Sequence, residues 1–318
     1  MVNGGRAARV AVMAFVAGLA AISPIAGSAS PGPGGLIAFT RCRELTGCER
    51  GTDIWVMRPD ATGLKVLTRD GTHNGSPSWS PNGKRIAFVS GRGGFDQIWT
   101  MKADGSDMRR LTAPRALDAD PAWSPNGRRI AFVRKLSPSR STIYLINMDG
   151  TNLQALTHKQ GDYRHPSWSP DGNRIAYSYA ADPRRGQYAI YVVGADGRGV
   201  RKLSHQGGGD YLDPAWSPDG RRIAFSYLVP TGGTYTAHLE TMSADRGSKR
   251  AIAHAPADTV YFAPSWSPGG REIVFVTLNG RKGLAEIGIV NADGSRLRML
   301  TQLLGDSRSP AWHAVPEK

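Results

Sequence analysis

Cysteine is nearly absent. Two in 318 residues exclude a disulfide-dense scaffold and a four-cysteine zinc site. Long apolar runs are missing too: the run at residues 10–22 falls short of the roughly 20 residues that a spanning helix needs. The chain holds no Gly-x-Ser-x-Gly elbow, which argues against an α/β-hydrolase, and no His-Glu-x-x-His or comparably dense ligand spacing. Acidic residues are the scarcer charge, 26 Asp+Glu against 40 Lys+Arg, a formal +14. With 40% hydrophobic and 21% charged residues, the mixture is that of a globular chain and excludes a disordered or collagenous one. Glycine (39) and proline (21) are plentiful, which suits many tight turns.

The start of the chain reads as an address. Arg6 and Arg9 precede the apolar run, and the small residues Gly27, Ser28 and Ala29 follow it, the pattern of a secretory signal over residues 1–29, with a retained membrane anchor as the alternative. Residues 30–34 form a short linker to a single domain over residues 35–318. Export implies an oxidising compartment, where Cys42 and Cys48 read as a disulfide across a short loop; the alternative is two free thiols.

The dominant feature is a recurring phrase: SPSWSPNGKRIAF, DPAWSPNGRRIAF, HPSWSPDGNRIAY, DPAWSPDGRRIAF and APSWSPGGREIVF, with a truncated SPAWHAVPEK at the end. Its tryptophans are Trp79, Trp123, Trp168, Trp216, Trp266 and Trp312, at separations of 44, 45, 48, 50 and 46 residues. That period matches a four-stranded propeller blade. The units parse into strand A at the Trp, an Asn-Gly or Asp-Gly turn, strand B (Ile86-Ala87-Phe88 and copies), strand C (Ile98-Trp99 and copies), a second Asp-Gly turn, and strand D ending in Leu-Thr or Leu-Ser; the fifth is degenerate, with Ala237-His238-Leu239 in strand C and Ala251-Ile252-Ala253 ending strand D. Residues 35–68 supply strands B, C and D without an A, and the tail from Ser309 supplies an A alone. The expectation is an all-β, six-bladed β-propeller of four-stranded antiparallel blades, closed by the C-terminal strand joining the N-terminal three strands.

These phrases resemble the PD40 (WD40-like) repeat of TolB-like propellers, over residues 35–315 and with the W-S-P-[ND]-G-x-x-I-A-[FY] phrase intact four times. The resemblance implies a periplasmic protein that works through protein–protein contact in the cell envelope. Similar propellers accompany hydrolase domains in prolyl-oligopeptidase-like peptidases and form the body of oligogalacturonate lyases. The TolB amino-terminal α/β domain has no counterpart in the residues ahead of the first strand.

Strand A should lie nearest the central channel. By two-residue alternation, residues one, three and five before each Trp share a face. The residues one before are all small, Ser78, Ala122, Ser167, Ala215, Ser265 and Ala311, as a crowded axis requires. Those further back place Asn74, Asp118, Asp120, Tyr163, His165, Tyr211, Asp213 and Tyr261 in two rings as a candidate ligand-binding mouth. Tyrosines with convergent polar groups suit a sugar or peptide. A plainer role is open to the same residues: Asp and His at a loop end bind water or backbone, and the tyrosines pack between blades. His158, His205 and His254 follow the D strands, with Asp162, Asp210 and Asp258 a few residues on. As rim residues they read as solvated rather than metal-binding.

Basic residues recur at the A–B turns and at the starts of the D strands, so one end should carry a cationic rim. Such a rim attracts anionic lipid headgroups or cell-wall polymers, or serves solubility alone. The functional expectation is an exported non-catalytic scaffold. Its partner is an envelope protein or an anionic cell-envelope polymer, not nucleic acid, and a membrane only if the N-terminal segment is uncleaved. The protein is expected to be a monomer, with no catalytic residue, metal or cofactor assigned. The alternative is a polysaccharide-active lyase or hydrolase with an acidic mouth.

Overall fold

The computed structural model describes residues 35–42, 51–114, 116–204, 208–231, 234–280, 284–301 and 307–313. The chain opens with β1 (Leu36–Cys42), β2 (Thr52–Met57) and β3 (Lys65–Val66). Four-strand units follow. The first is β4 (Asn74–Trp79), β5 (Arg85–Ser90), β6 (Gln97–Lys102) and β7 (Arg109–Arg110). The next is β8 (Leu117–Trp123), β9 (Arg129–Ser137), β10 (Arg140–Asn147) and β11 (Gln154–Ala155). Then come β12 (Asp162–Trp168), β13 (Arg174–Ala180), β14 (Ala189–Gly194) and β15 (Arg201–Lys202). After them run β16 (Asp210–Trp216), β17 (Arg222–Thr231), β18 (Thr234–Ser243) and β19 (Lys249–Ala253). The last full unit is β20 (Thr259–Trp266), β21 (Glu272–Asn279), β22 (Leu284–Asn291) and β23 (Arg298–Met299), and β24 (Ser307–His313) ends the described chain. A single 3-10 turn, Pro183–Arg185, is the helical structure among the described residues.

The sheets are antiparallel blades. Three are β4–β7, β8–β11 and β12–β15, and a fourth is β24-β1-β2-β3, in which the last strand pairs with the first. The remaining strands form one eight-stranded sheet where two separate four-stranded ones were expected. Its physical cause is length. Both β17 and β18 run to ten residues, and the extension brings Ala237 beside Val260 in a single parallel pair that joins the two units. The Trp-bearing strands β24, β4, β8, β12, β16 and β20 each contact the next, and β20 contacts β24, so they close a circuit.

The motif residues build each unit. Ser80 N–H donates to the Arg85 carbonyl and Gly83 N–H to the Ser80 carbonyl, closing the A–B turn. Only Gly83 takes positive φ (64°), while Asn82 uses its side-chain oxygen to accept from the Ser80 hydroxyl and the Lys84 N–H. In five units the Thr or Ser after the D strand accepts a strand-C backbone N–H, as Thr112 does from Ile98 at 3.1 Å and Ser204 from Ile190 at 3.1 Å, whereas β19 ends in Ala253. That is why Leu-Thr recurs. The core lies between blades rather than within one. Ala87, Val89 and Ile98 of one blade pack on Trp123, Ile130 and Phe132 of the next, and Val274, Ile287 and Ile289 pack on Ile37, Phe39 and Trp312 across the closure. Strand B is buried on both faces for this reason; Ile86, Ala87 and Phe88 are all fully buried.

Cys42, at the end of β1, is buried and disulfide-bonded. Cys48 and residues 1–34, with the expected signal and linker, lie outside the described residues. Among the described residues no helix is long and apolar enough to cross a membrane.

Candidate functional site

Each inner strand carries the same irregularity. The ladder of β4 with β5 skips from Gly75 to Ser78, that of β8 with β9 from Ala119 to Ala122, and that of β12 with β13 from Arg164 to Ser167. The skipped pair is X-Pro. Proline has no N–H to give a ladder, so it sits at a bulge. The residue before it adopts left-handed backbone: φ is 49° at Ser76, 52° at Asp120, 49° at His165, 54° at Asp213, 50° at Ala263 and 49° at Ser309.

These six residues and the proline after each line one cavity of about 150 Å³ on the channel axis. Its charge is confined to three neighbouring blades. His165 Nδ1 lies 2.7 Å from Asp213 Oδ1, and its Nε2 lies 3.6 Å from Asp120 Oδ2. Asp213 Oδ2 also accepts from the Ala263 N–H (3.0 Å) and the Ser226 hydroxyl (3.1 Å), while Asp120 accepts from the His165 N–H (3.2 Å). Burial works against the imidazolium, but the carboxylates of Asp120 and Asp213 outweigh it and raise the His165 pKa to about 9. Burial likewise opposes the charge on Asp213, and His165 outweighs it and holds the carboxyl below its ordinary value. The cavity therefore holds one cation between two anions near neutral pH. Of the two carboxylates Asp120 is the more exposed, 20% of its side chain against 10% for Asp213, and the His165 ring beside it is 33% exposed.

The residues one position before each Trp join the blades, in alternation. Ser78, Ser167 and Ser265 accept the backbone N–H of Trp123, Trp216 and Trp312 at 3.1–3.2 Å. The carbonyls of Ala122 and Ala215 accept the indole N–H of Trp168 and Trp266 instead.

The five expected site residues further back do not line the cavity. Asn74 and Asp118 are fully buried, and Tyr163, Tyr211 and Tyr261 are only 3–5% exposed. The bulge supplies the reason: it inserts an extra residue, so alternation counted through it assigns the wrong face. Tyr163 packs 4.7 Å from Tyr179, Tyr211 4.8 Å from Tyr227, and Tyr261 4.8 Å from Phe275, all in the inter-blade cores. Asp118 is held by Arg134 through two bonds of 2.7 and 2.9 Å. Asn74 accepts from Ser90 and donates to Asp70. Tyr163, Tyr211 and Tyr261 thus form no arc at the mouth. Asp120, His165 and Asp213 are the expected residues that the fold brings together.

A buried ion cluster escaped the sequence reading. Asp162 accepts from Lys135 (2.7 Å), Arg164 (2.6 Å), Ser141 (2.9 Å) and Tyr188 (2.7 Å). Tyr188 belongs to no repeated phrase, so no pattern announced it. His158 and His254 are exposed and lie on different blades, while His205 is outside the described residues. Among the described residues no group of three or more His, Cys, Asp or Glu is placed to hold a metal ion.

Antiparallel four-stranded blades arranged about a channel define a β-propeller. The family model of the TolB beta propeller domain, PD40, matches residues 30–137 and 115–315, and the chain belongs to that family. Among solved structures, TolB from Acinetobacter baumannii is 23% identical at a TM-score of 0.74, covering 88% of this chain and 67% of its own. A putative TolB from Agrobacterium tumefaciens is 21% identical at 0.68, covering 86% and 90%. An oligogalacturonate lyase from Vibrio parahaemolyticus is 13% identical at 0.53, covering 84% and 74%. Likeness at these identities is likeness of fold. No curated protein matches the chain.

Proposed function

We propose that this chain is an exported, six-bladed, non-catalytic scaffold that takes a basic side chain of a protein partner into its channel. The carrying observation is the Asp120–His165–Asp213 trio in a cavity of about 150 Å³. That volume is below the roughly 300–1,000 Å³ of small-molecule pockets and suits a single side chain. Two carboxylates against one imidazolium leave a net negative lining, which favours a cationic group over an anionic polymer or an acidic sugar.

The surroundings support a protein partner. Phe95, Leu117 and Leu136 are 45%, 48% and 47% exposed. They sit on adjoining blades at the end where the inner strands begin: Asp118 N–H donates to the Asp96 carbonyl, and Leu117 pairs with Lys135. An exposed apolar patch beside a small charged socket has the make-up of an interface. The closed circuit of inner strands supports six blades, with the eight-stranded sheet counted as two. Residues 1–29 act in this reading as the export signal, Cys42 pairs with Cys48 in the oxidising compartment, and the ring works as a monomer.

A photoreactive diazirine side chain at Ser309, on the cavity wall, tests the reading in the native cell. It is expected to cross-link a protein whose capture disappears in Asp120→Arg, while a probe on the outer strands captures nothing comparable. Capture that survives Asp120→Arg would remove the channel from the proposal.

A further inference from the structure

Both hairpin types of each blade meet at one end of the molecule. The backbone ties them together: Ala103 N–H donates to the Lys84 carbonyl, Met148 to Arg128, Ala244 to Arg221 and Ala292 to Arg271. In these four pairs the residue after the A–B turn contributes its carbonyl to the fold, as does the uncharged Asn173, which accepts from Ala195. Yet Lys84, Arg128, Arg221 and Arg271 are all basic and all exposed. Within the A–B and C–D turns of this end bases and acids are near balance, and the outer strands that start there, with exposed bases such as Arg109, Arg110, Arg201 and Arg250, give the rim its excess of positive charge. The turn aspartates are moreover engaged locally. Asp104, Asp149 and Asp293 each accept the N–H and hydroxyl of the residue two further on.

Apolar side chains stand among these cations. Leu64, Leu153, Val200 and Leu297, at the starts of the outer strands, are 36%, 42%, 48% and 40% exposed. Three of them directly precede a base: Lys65, Arg201 and Arg298. Bases of the outer strands reach across to the next blade's turn, as Arg250 does to the Asp293 carbonyl and Arg298 to the Pro59 carbonyl, which fixes the rim as one surface. The described chain also begins here, at residue 35 beside β24 and just before β1.

We infer that this end docks on an anionic lipid surface, with the exposed bases against the headgroups and the apolar residues among them. A soluble polyanion would use the bases and leave the apolar ring without a role. The cations account for attraction to negative headgroups, at about 1 kcal/mol per residue near the surface. The apolar side chains account for a preference for lipid.

Sedimentation of the full chain with vesicles tests this. Binding to phosphatidylcholine vesicles containing phosphatidylglycerol should exceed binding to phosphatidylcholine alone by about tenfold or more, and should weaken with salt. The variant K84E/R128E/R221E/R271E should fall to the phosphatidylcholine level. The neutral set K84Q/R128Q/R221Q/R271Q should lie between, and a melting curve should show both folded. The variant L64S/L153S/V200S/L297S should lose vesicle binding while keeping the parent's affinity for polyglutamate. No preference for phosphatidylglycerol would overturn the inference, and so would retained binding in both charge variants. Serine variants that bind vesicles like the parent would also overturn it, since they would leave only a polyanion surface.

Discussion

An imidazole held between two carboxylates titrates late, and His165 is in that position. Its pKa, raised to about 9 against an ordinary value near 6.5, makes the charged form part of the folded state. The sign follows from linkage. A group whose folded pKa lies above its unfolded value adds stability that is fully present below about pH 6.5 and is lost as pH rises through about 9. Proton NMR of the His165 ring should give a midpoint near 9, and Asp213→Asn should move it toward the ordinary value. It should also flatten the fall in stability over that alkaline window. An unchanged midpoint in Asp213→Asn would mean that the 2.7 Å contact is not what holds the charge.

At the scale of the element, the inner strand is defined by its bulge. Left-handed backbone at a residue with a side chain costs on the order of 1–3 kcal/mol and is borne most easily by small or Asx-like residues. Ala263 occupies that position with φ 50°. Ala263→Val should destabilise by about 1–2 kcal/mol, because a β-branched side chain tolerates that conformation worst. Denaturant unfolding measures it, and a neutral substitution would contradict the bulge. Much of this element was legible in the sequence. Hydrophobic alternation and Asp-Gly or Asn-Gly turns are local signals, so the strand order and the pairing of strand A with strand B follow from them. The side-chain direction of Tyr163, Tyr211 and Tyr261 was not legible by alternation, since a count of two per residue pair runs straight through the X-Pro step. The proline itself was the available sign: inside a strand it marks an edge or a bulge. The merging of β18 with β20 depends on a hairpin extended beyond the repeat, and no recurring residue signals that length.

For the whole molecule, stability is shared around the circuit, because each core cluster belongs to two blades. Removing one contact between neighbours exposes two faces at once. The closure between β24 and β1 is the step at which the chain's two ends meet: Ile37 pairs with Trp312 and Ala38 with Ala311. Trp312 is buried beside Phe39 and Ile289, and its N–H donates to Ser265 of the preceding blade. The channel cavity depends on the same strand, since Ser309 and Pro310 complete its wall. The decisive measurement is thermal unfolding of a chain ended at residue 306, which lacks β24. The ring predicts a melting temperature lower by roughly 10 °C or more and a broadened transition, as the first blade loses its inner strand. A truncated chain that melts as sharply and as high as the intact protein would contradict the closed propeller and, with it, the channel on which the proposed function rests.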